Sequence, residues 1–341
     1  MLIKKAIAQI VEGRDLTERQ AATIMTEIMD GKATTAQIAS FLTALRMKGE
    51  TVPELTGCAR VMREKALTIE IDPVGLIDTC GTGGDQANTF NISTTAAFVV
   101  AGVGLRVAKH GNRSVSSSCG SADLLEALGI TINLEPERVE KSIRQIGIGF
   151  LFAPQFHQAM KYAAGPRQEM GIRTIFNILG PLTNPAGATA QLIGVYKEEL
   201  TGILAKVLRN LGCQRAFVVH GKDGLDEISI TAPTVIAELN HKNVKVYAIE
   251  PKDFGLPRRT LEEIKGGDIS KNVQITLSVL AGEKGPAREI VLLNAAAAIV
   301  AGGKAASLSE GISLAAKSID SGAAYKKLEA LKAFSSQEKR K

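Results

Sequence analysis

A glycine-rich stretch that ends in a carboxylate, GTGGD at residues 81–85, has the residue types of an anion-binding loop. It follows the apolar run VGLIDTC and precedes a helix that we expect to begin near Ser93. Glycine lets the main chain approach a ligand closely and turn its N–H groups toward a phosphate, and the helix N-terminus adds positive potential. The stretch is neither a P-loop, since no GKS or GKT follows, nor a GxGxxG motif. Composition alone therefore leaves a tight strand-to-helix turn as an equal alternative.

Two adjacent acids, Asp226 and Glu227, stand in the glycine-containing segment HGKDGLDEIS, after the apolar run RAFVV. In a regular strand their side chains would point apart, but in a loop both can face one ligand. An anion cradle together with a separate acidic pair indicates a diphosphate held through Mg²⁺, because magnesium prefers carboxylate, water and phosphate oxygens. Solvated loop acids are the alternative interpretation.

The segment KHGNR, residues 109–113, brings charged and amide groups to the end of another predicted strand. Ligands of parallel sheets lie at this end of the strands, so Lys109, His110 and Asn112 are candidate contacts, although a charged surface turn also explains such a run. The segment NIST, residues 91–94, and the serines of SSSCGSAD add amide and hydroxyl groups. Ordinary helix N-caps are the simpler interpretation of those groups.

A single arginine, Arg167, stands upstream of the rigid Pro/Gly loop GPLTNP. An arginine so placed can clamp a planar carboxylate through two parallel hydrogen bonds, whereas a lone arginine is more commonly a surface residue. Of the four histidines, His110 and His157 lie in these polar segments, and we interpret His220 and His241 as structural or surface residues.

The elements that must position these groups alternate in type from about residue 74. Short apolar runs predict strands at VGLIDTC, GLRVAKH, IGIGFLFA, ATAQLIGVY, RAFVVHG and NVKVYAIE. Helical patterns lie between them at TTAAFVVAGVG, SADLLEALG and LTGILAKVLRNLG. Strands and helices in turn predict an α/β fold with a mainly parallel central sheet that helices cover on both faces.

The N-terminal part of the chain instead predicts a small helical domain, residues 1–70, ahead of an α/β domain, residues 71–341. Three pairs have the spacing of a capping box, in which a hydroxyl and a side chain three residues later satisfy exposed N–H groups: Thr17 with Gln20, Thr34 with Gln37, and Thr51 with Glu54. A segment around residues 160–185 interrupts the α/β rhythm, and we expect it to pack back on the N-terminal helices.

Composition narrows the class of protein. The chain has 341 residues, 45% of them apolar, with a formal charge of +6 and four widely spaced cysteines that predict neither disulfides nor a zinc site. No apolar stretch approaches a membrane span and no secretory signal is present, so we expect a mature cytoplasmic protein. Aromatic residues are scarce at 4%, which argues against a base-stacking surface for single-stranded nucleic acid and makes a small polyanion the simpler partner.

Seven motifs, taken in chain order, closely resemble the anthranilate phosphoribosyltransferases: DTCGTGGD, NIST, KHGNRSVSS, GSADLLEALG, GIGFLFAPQFH, RTIFNILGPLTNP and HGKDGLDEIS. The resemblance runs across nearly the whole chain. It implies a helical domain plus an α/β domain of the nucleoside phosphorylase and phosphoribosyltransferase type, and a homodimer joined through the helical domains. The implied reaction is the Mg²⁺-dependent transfer of phosphoribose from 5-phosphoribosyl diphosphate to the amine of anthranilate, with release of diphosphate, in tryptophan biosynthesis.

The resemblance also implies a role for particular residues. The phosphoribosyl-diphosphate contacts are then Gly81, Gly84, Asp85, Thr89, Asn91, Ser93, Thr94, Lys109, Ser117 and Ser121. The magnesium ligands are Ser93, Asp226 and Glu227, and the anthranilate site comprises Gly81, His110, Asn112, His157, Arg167 and Pro181. One departure is that Ser118 and Cys119 stand where such enzymes often carry Lys and Ser. No obligatory general base is assigned, because the aryl amine of anthranilate is neutral at pH 7 and positioning should outweigh base catalysis.

Two other functions stay open at this point. A pyrimidine nucleoside phosphorylase has a similar fold and glycine loop, but it would use phosphate as the nucleophile and would not need GLDE or GPLTNP. A nucleic-acid-binding relative that had lost activity is the second, suggested by a pI near 9.1. Such a protein should have eroded its anthranilate contacts, whereas Asn112 and Arg167 are in place.

Overall fold

The N-terminal part of the protein is a bundle of helices whose starts are fixed locally. The computed structural model describes residues 2–85, 87–114 and 119–337. The first helices are α1 Leu2–Val11, α2 Glu18–Met29, α3 Thr35–Lys48 and α4 Val52–Lys65. The Gln20 side chain accepts the Thr17 N–H at 2.8 Å while the Thr17 hydroxyl accepts the Gln20 N–H, and Thr34 with Gln37 repeats this pattern. The capping boxes predicted at Thr17 and Thr34 are confirmed, whereas the one at Thr51 is half formed: Glu54 accepts the Thr51 N–H at 2.9 Å, but the Thr51 hydroxyl makes no cap hydrogen bond.

A seven-stranded sheet with the spatial order β3-β2-β1-β4-β5-β6-β7 forms the centre of the larger part. The strands are β1 Leu76–Gly81, β2 Arg106–Gly111, β3 Ile148–Phe152, β4 Ala190–Gly194, β5 Arg215–Gly221, β6 Thr234–Asn240 and β7 Asn243–Ile249. Strands β1 to β5 run parallel, whereas β6 and β7 are added antiparallel at one edge. The parallel strands therefore end together, and their carboxyl ends form one edge at which loops can converge.

Helices cover both faces of the sheet. The helices that follow β1 in the chain are α5 Ile92–Gly102, α6 Ser121–Ala127, α7 Pro136–Ile146, α8 Ala153–Phe156, α9 Lys161–Met170, α10 Ile175–Leu179, α11 Glu199–Asn210, α12 Ile269–Leu280, α13 Pro286–Ala301, α14 Leu308–Asp320 and α15 Ala323–Ser336, of which α9 and α10 pack away from the sheet. Successive strand residues enter different apolar clusters: Ile77 packs in the cluster that contains α5 and α13, and Leu76 in the one on the opposite face. Helices α5 and α13 are buried almost all round and contact each other.

The segment between β3 and β4 leaves the sheet and returns to the N-terminal helices. Helix α9 contacts α2 and α3, and α10 contacts α3 and α4. Ala163 of α9 and Ile175 of α10 are fully buried in the same apolar cluster as Ile24 and Phe41. These contacts join α9 and α10 to the N-terminal helices.

The predicted fold class is confirmed: a small N-terminal helical domain precedes a larger α/β domain with a mostly parallel sheet. All six predicted strands are present. Strand β6, helix α7 and the helices after residue 268 were not predicted. The β6 run, TVIAELN, is interrupted by Glu238, and its main signal is the tight turn that joins it to β7. His241 in that turn has a φ of 53°, a left-handed conformation. Among the described residues, no helix has the length and apolar character needed to cross a membrane.

Candidate active site

The glycine loop begins where β1 ends and is fixed by hydrogen bonds to two other strand ends. The Thr82 N–H donates to the carbonyl of Gly194 at 2.9 Å, and the Tyr196 N–H donates to the Thr82 hydroxyl at 3.1 Å. The Gly83 N–H donates to the Asp226 carboxylate at 2.8 Å. Gly83 and Gly84 have φ values of 66° and 77°, so the loop uses a left-handed main chain that favours glycine.

Two glycines make room for the acid pair. Gly81 and Gly194 are register partners at the ends of β1 and β4. A Cβ atom on Gly81 would collide with the Asp226 carboxylate, and one on Gly194 would collide with the Asp226 main-chain carbonyl. The segment after β5 can therefore cross the ends of β1 and β4 only because Gly81 and Gly194 have no side chains.

The acid pair lies against the glycine loop and the start of α5. The Ser93 N–H donates to Glu227 at 3.1 Å, and Glu227 is only 9% exposed. Burial is the main cause that raises the pKa of Asp226, to about 7, and the negative charge of Asp85 adds to it. Burial also raises the pKa of Glu227, with the charge of Asp226 as the next cause. Two desolvated carboxyls side by side are a donor set that a divalent cation would stabilise.

Lys109 supplies a buried positive charge beneath the site. Its Nζ donates to the Thr79 carbonyl and lies 3.5 Å from the Ser93 hydroxyl oxygen. Lys109 is only 3% exposed, and burial lowers its pKa, whereas the charge of Asp78 opposes that change. The ammonium is thus held by neighbouring strands at the same edge as the glycine loop and the acid pair.

The other described residues of the predicted phosphoribosyl-diphosphate set lie in the loops and helix starts around this edge. The Asn91 amide donates to the Cys119 carbonyl at 3.0 Å, and the Ser121 hydroxyl donates to the Asn112 carbonyl at 3.1 Å. These bonds join the start of α5 and the segment after β2 to the start of α6. The remaining residues are placed as follows: Thr94 is buried on α5, Asp85 accepts the Ala87 N–H at 3.3 Å, and Thr89 forms an isolated antiparallel bridge with Lys265. Ser117 lies outside the described residues, as do Ser116 and Ser118.

Two histidines pack together at the end of β2. The ring centroids of His110 and His157 are 5.1 Å apart, and both residues are buried. Burial lowers the pKa of His110 to about 3 and that of His157 to about 4, so both rings are neutral at pH 7. His110 bonds to the main chain at Gly180 and His157 to that at Thr183, on either side of the buried Pro181. The Nε2 atom of each ring has no hydrogen-bond partner among the described residues.

Arg167 is half-buried on α9, with its guanidinium carbon 5.2 Å from the centroid of the Phe176 ring. Burial lowers the pKa of Arg167, but a guanidinium nevertheless stays protonated at pH 7. No carboxylate among the described residues lies within ion-pair distance of Arg167. A desolvated cation without such a partner is available to an external carboxylate.

Sequence reasoning missed several residues that shape the site. Asp78 is fully buried in β1, where it accepts the His110 N–H at 3.1 Å and the Asn184 amide at 2.7 Å. Asn184 belongs to the GPLTNP loop, so this carboxylate holds that loop beside the end of β2. An acid inside an otherwise apolar strand, in LIDTC, was the available signal. Arg173, which contacts the glycine loop, had no local signal of its own.

Comparison with known proteins identifies the family. Residues 74–325 match the "Glycosyl transferase family, a/b domain" and residues 4–66 match the "Glycosyl transferase family, helical bundle domain". The chain is similar to the anthranilate phosphoribosyltransferase of Citrifermentans bemidjiense, with 57% identity over 98% of this chain and 99% of that protein.

Solved structures agree with the sequence comparison. The crystal structure of anthranilate phosphoribosyltransferase from Thermus thermophilus has a TM-score of 0.91 and 44% identity, over 96% of this chain and 98% of that one. The Saccharomyces cerevisiae enzyme in complex with PRPP and Mg has a TM-score of 0.89 and 29% identity, over 98% of both chains. The resemblance seen in the motifs, and with it the class of pentosyltransferase in tryptophan biosynthesis, is confirmed. The chain belongs to the anthranilate phosphoribosyltransferase family.

Proposed function

We propose that the carboxyl edge of the sheet binds 5-phosphoribosyl diphosphate as its magnesium complex and directs transfer of the phosphoribosyl group to the amine of anthranilate. The observation that carries this proposal is the convergence of three distant segments. The glycine loop bonds to Asp226, the start of α5 bonds to Glu227, and Lys109 lies 3.5 Å from Ser93 at that same helix start. An anion cradle, a buried cation and an acid pair are thereby held together.

The sugar diphosphate is assigned to the groups around this convergence. They are Gly81, Gly84, Asp85, Thr89, Asn91, Ser93, Thr94, Lys109 and Ser121; Ser117, which lies outside the described residues, is assigned to the same ligand from the resemblance alone. Main-chain N–H groups of the loop and the N-terminus of α5 supply partial positive charge to a phosphate. Supporting this assignment, the related yeast enzyme has been solved with PRPP and Mg.

Magnesium is assigned to Ser93, Asp226 and Glu227. Among the described residues, no group of three or more His, Cys, Asp or Glu side chains converges on one point, so the protein alone does not form a cation cage. The chemistry of the donor set fits Mg²⁺, since two desolvated carboxyls can complete a shell made mostly of phosphate and water oxygens. When bound, the ion would supply neutralising charge to the diphosphate.

The chain's own residues then act on the charges that form during transfer. Cleavage of the bond between ribose C1 and diphosphate leaves negative charge on the leaving group. Lys109 and the main-chain N–H groups of the loop are fixed in advance to stabilise that charge, apart from those of Thr82 and Gly83, which already donate to Gly194 and Asp226. Because the aryl amine is already neutral at pH 7, its correct placement contributes more than removal of a proton.

Anthranilate is assigned to Gly81, His110, Asn112, His157, Arg167 and Pro181. The two neutral imidazoles and Pro181 supply a largely apolar wall for a flat ring, and Arg167 supplies a cation for the carboxylate. The yeast relative has also been solved with 4-fluoroanthranilate, which supports a site for this class of ligand.

A direct assay tests the proposed function. The purified chain is mixed with anthranilate, 5-phosphoribosyl diphosphate and Mg²⁺, and both anthranilate fluorescence and diphosphate release are followed. We expect fluorescence to fall with the release of one equivalent of diphosphate. Omission of either the sugar diphosphate or Mg²⁺ is the control. Release of free base from a nucleoside in the presence of phosphate, with no loss of anthranilate, would identify a nucleoside phosphorylase instead.

The assembly and setting of the enzyme are also proposals. A homodimer through the helical domain is supported by exposed apolar side chains on α1 and α3, where Val11 is 72% and Met47 is 84% exposed. Light scattering on the purified chain, with Met47→Glu as the interface variant, measures the oligomeric state. We further propose that the domains divide near residue 70, that the enzyme is cytoplasmic and that nucleic acid is not a partner.

A further inference from the structure

We propose that Arg173 is a positioning residue that holds the glycine loop in its anion-binding conformation and links that loop to the helical domain. The inference rests on the function proposed above for this loop. Arg173 follows Gly171, the left-handed residue that ends α9, and precedes Thr174, the N-cap of α10. It therefore belongs to the segment that packs against the N-terminal helices, yet its side chain reaches the other part of the molecule.

The Arg173 side chain contacts the glycine loop at Gly84. Its guanidinium donates to the Gly84 carbonyl. A Cβ atom on Gly84 would lie only 2.7 Å from Nη2 of Arg173 and 2.9 Å from its Cζ, so the guanidinium lies directly against the Gly84 α-carbon. Gly84 can accept this approach because it has no side chain and because its φ of 77° suits glycine.

An aromatic ring also packs against the Arg173 guanidinium. The Arg173 guanidinium carbon lies 4.5 Å from the centroid of the Tyr196 ring, a cation–π arrangement, and Tyr196 is only 9% exposed. The Tyr196 N–H in turn donates to the Thr82 hydroxyl. Arg173 thus bonds to the loop at Gly84, and Tyr196 bonds to it at Thr82, two residues earlier.

A third attachment completes the support of the loop. The Gly83 N–H, between these two residues, donates to Asp226. Each of the three central loop residues is therefore anchored by a different segment of the chain, and only the Gly84 anchor comes from the segment that packs with the helical domain. Arg173 donates to a loop carbonyl, so its side chain does not compete with an anion for the loop N–H groups. Such a residue acts on the sugar diphosphate through the loop.

The test is the separation of effects on the two substrates. Arg173→Ala should raise the KM for 5-phosphoribosyl diphosphate roughly 10-fold or more, the value of a lost charge-assisted hydrogen bond, and leave the KM for anthranilate within about twofold. Arg173→Lys keeps the charge but loses the planar fork, so it should give a smaller increase in the same KM. The matched control is Arg209→Ala, an exposed arginine in the last turn of α11, for which no change in either KM is expected.

A double-mutant cycle with Tyr196→Leu tests whether Arg173 acts through the loop support. The increases in KM for Arg173→Ala and Tyr196→Leu should be non-additive, because both variants remove the same stacked pair. Equal increases in both KM values, an unchanged KM for the sugar diphosphate, or full additivity would each overturn the inference. Should Arg173→Ala not fold, the Arg173→Lys values decide by the same criteria. A wild-type chain without phosphoribosyl transfer would instead refute the proposed function itself.

Discussion

The Asp226 carboxylate accepts a hydrogen bond from the Gly83 N–H at 2.8 Å, although 143 residues separate the two in sequence. This bond connects the glycine loop directly to the acid pair. The loop that would cradle an anion and the carboxylate that would hold its cation are therefore neighbours. A change in the charge of Asp226 should therefore alter both the affinity for magnesium and the conformation of the loop main chain.

The first prediction concerns the acid pair. Asp226→Asn combined with Glu227→Gln removes both negative charges while nearly keeping the side-chain shapes. We expect turnover to fall by roughly two orders of magnitude, which corresponds to about 3 kcal/mol of barrier, and half-saturation to require more Mg²⁺. Steady-state rates measured over a Mg²⁺ titration provide the test. The control is Glu262→Gln, an exposed acid paired with Lys265, and an unaltered Mg²⁺ dependence in the double variant would exclude the two acids as ligands.

The second prediction concerns Arg167. Arg167→Ala removes a half-buried cation for which no ion-pair partner is found among the described carboxylates. The KM for anthranilate should rise roughly 10- to 100-fold, while that for the sugar diphosphate changes far less, because only anthranilate offers a carboxylate. Initial rates with each substrate varied in turn supply the two values. Arg60→Ala, at an exposed pair with Glu18, serves as the control. Similar increases for both substrates would argue against a carboxylate clamp.

The third prediction concerns pH and the His110–His157 pair. In the unfolded chain both imidazoles take up protons near pH 6.5, whereas in the folded protein burial delays this to about 3 and about 4. Their contribution to stability is therefore complete above pH 6.5 and is lost as the pH falls toward 4. Each histidine contributes a slope of up to about 1.4 kcal/mol per pH unit in that range.

Urea unfolding at pH 7.5 and pH 5.5 measures this effect. The free energy of unfolding of the wild-type protein should fall by about 2.7 kcal/mol more between these pH values than that of a His110→Asn, His157→Asn variant. The carboxyls with raised pKa values, Asp226 and Glu227, remain in both proteins, so their opposite contribution cancels in the comparison. The same loss in both proteins would show that the imidazoles are not desolvated as a pair.

The fourth prediction concerns Glu54 in the helical domain. This fully buried carboxylate accepts the N–H groups of Leu16 and Thr51, each at 2.9 Å, and pairs with the Lys48 ammonium at 3.1 Å. Glu54→Ala leaves those groups without their acceptor and should lower the free energy of unfolding by about 3–5 kcal/mol. Chemical denaturation measures the change. Glu64→Ala, an exposed acid on the same helix, should cost less than about 0.5 kcal/mol, and a similarly small cost for Glu54→Ala would contradict the prediction.

The parts of the fold that could be predicted are those with local causes. Thr17 with Gln20 marks a helix start because both partners of the bond lie within one turn. The run RAFVVHG predicts β5 because it is apolar and closes with a glycine. Strand β6, by contrast, depends on pairing with β5 and β7, and its run, although as long as that of β5, is interrupted by an acid, Glu238.

The candidate site divides in the same way. GTGGD was recognisable as a cradle from its glycines, but its support by Arg173 and Tyr196 comes from residues 89 and 114 positions further along the chain than their partners in the loop. Asp78 has a local signal as an acid within a strand, but its role as a support cannot be read from it, because Asn184 and the His110 N–H lie beside it only in the folded chain. Local composition reports what a loop can bind, whereas its rigidity depends on contacts that only folding creates.

The return of α9 and α10 to the N-terminal helices sets a limit on how this enzyme can be dissected. A fragment that ended at Lys65 would expose to water the apolar side chains, such as Ile24 and Phe41, that form one buried cluster with Ala163 and Ile175. The complementary fragment would display Ala163 and Ile175 to water. Neither piece could be expected to remain monomeric and well behaved, and co-expression of the two halves is the arrangement in which each would find its missing surface.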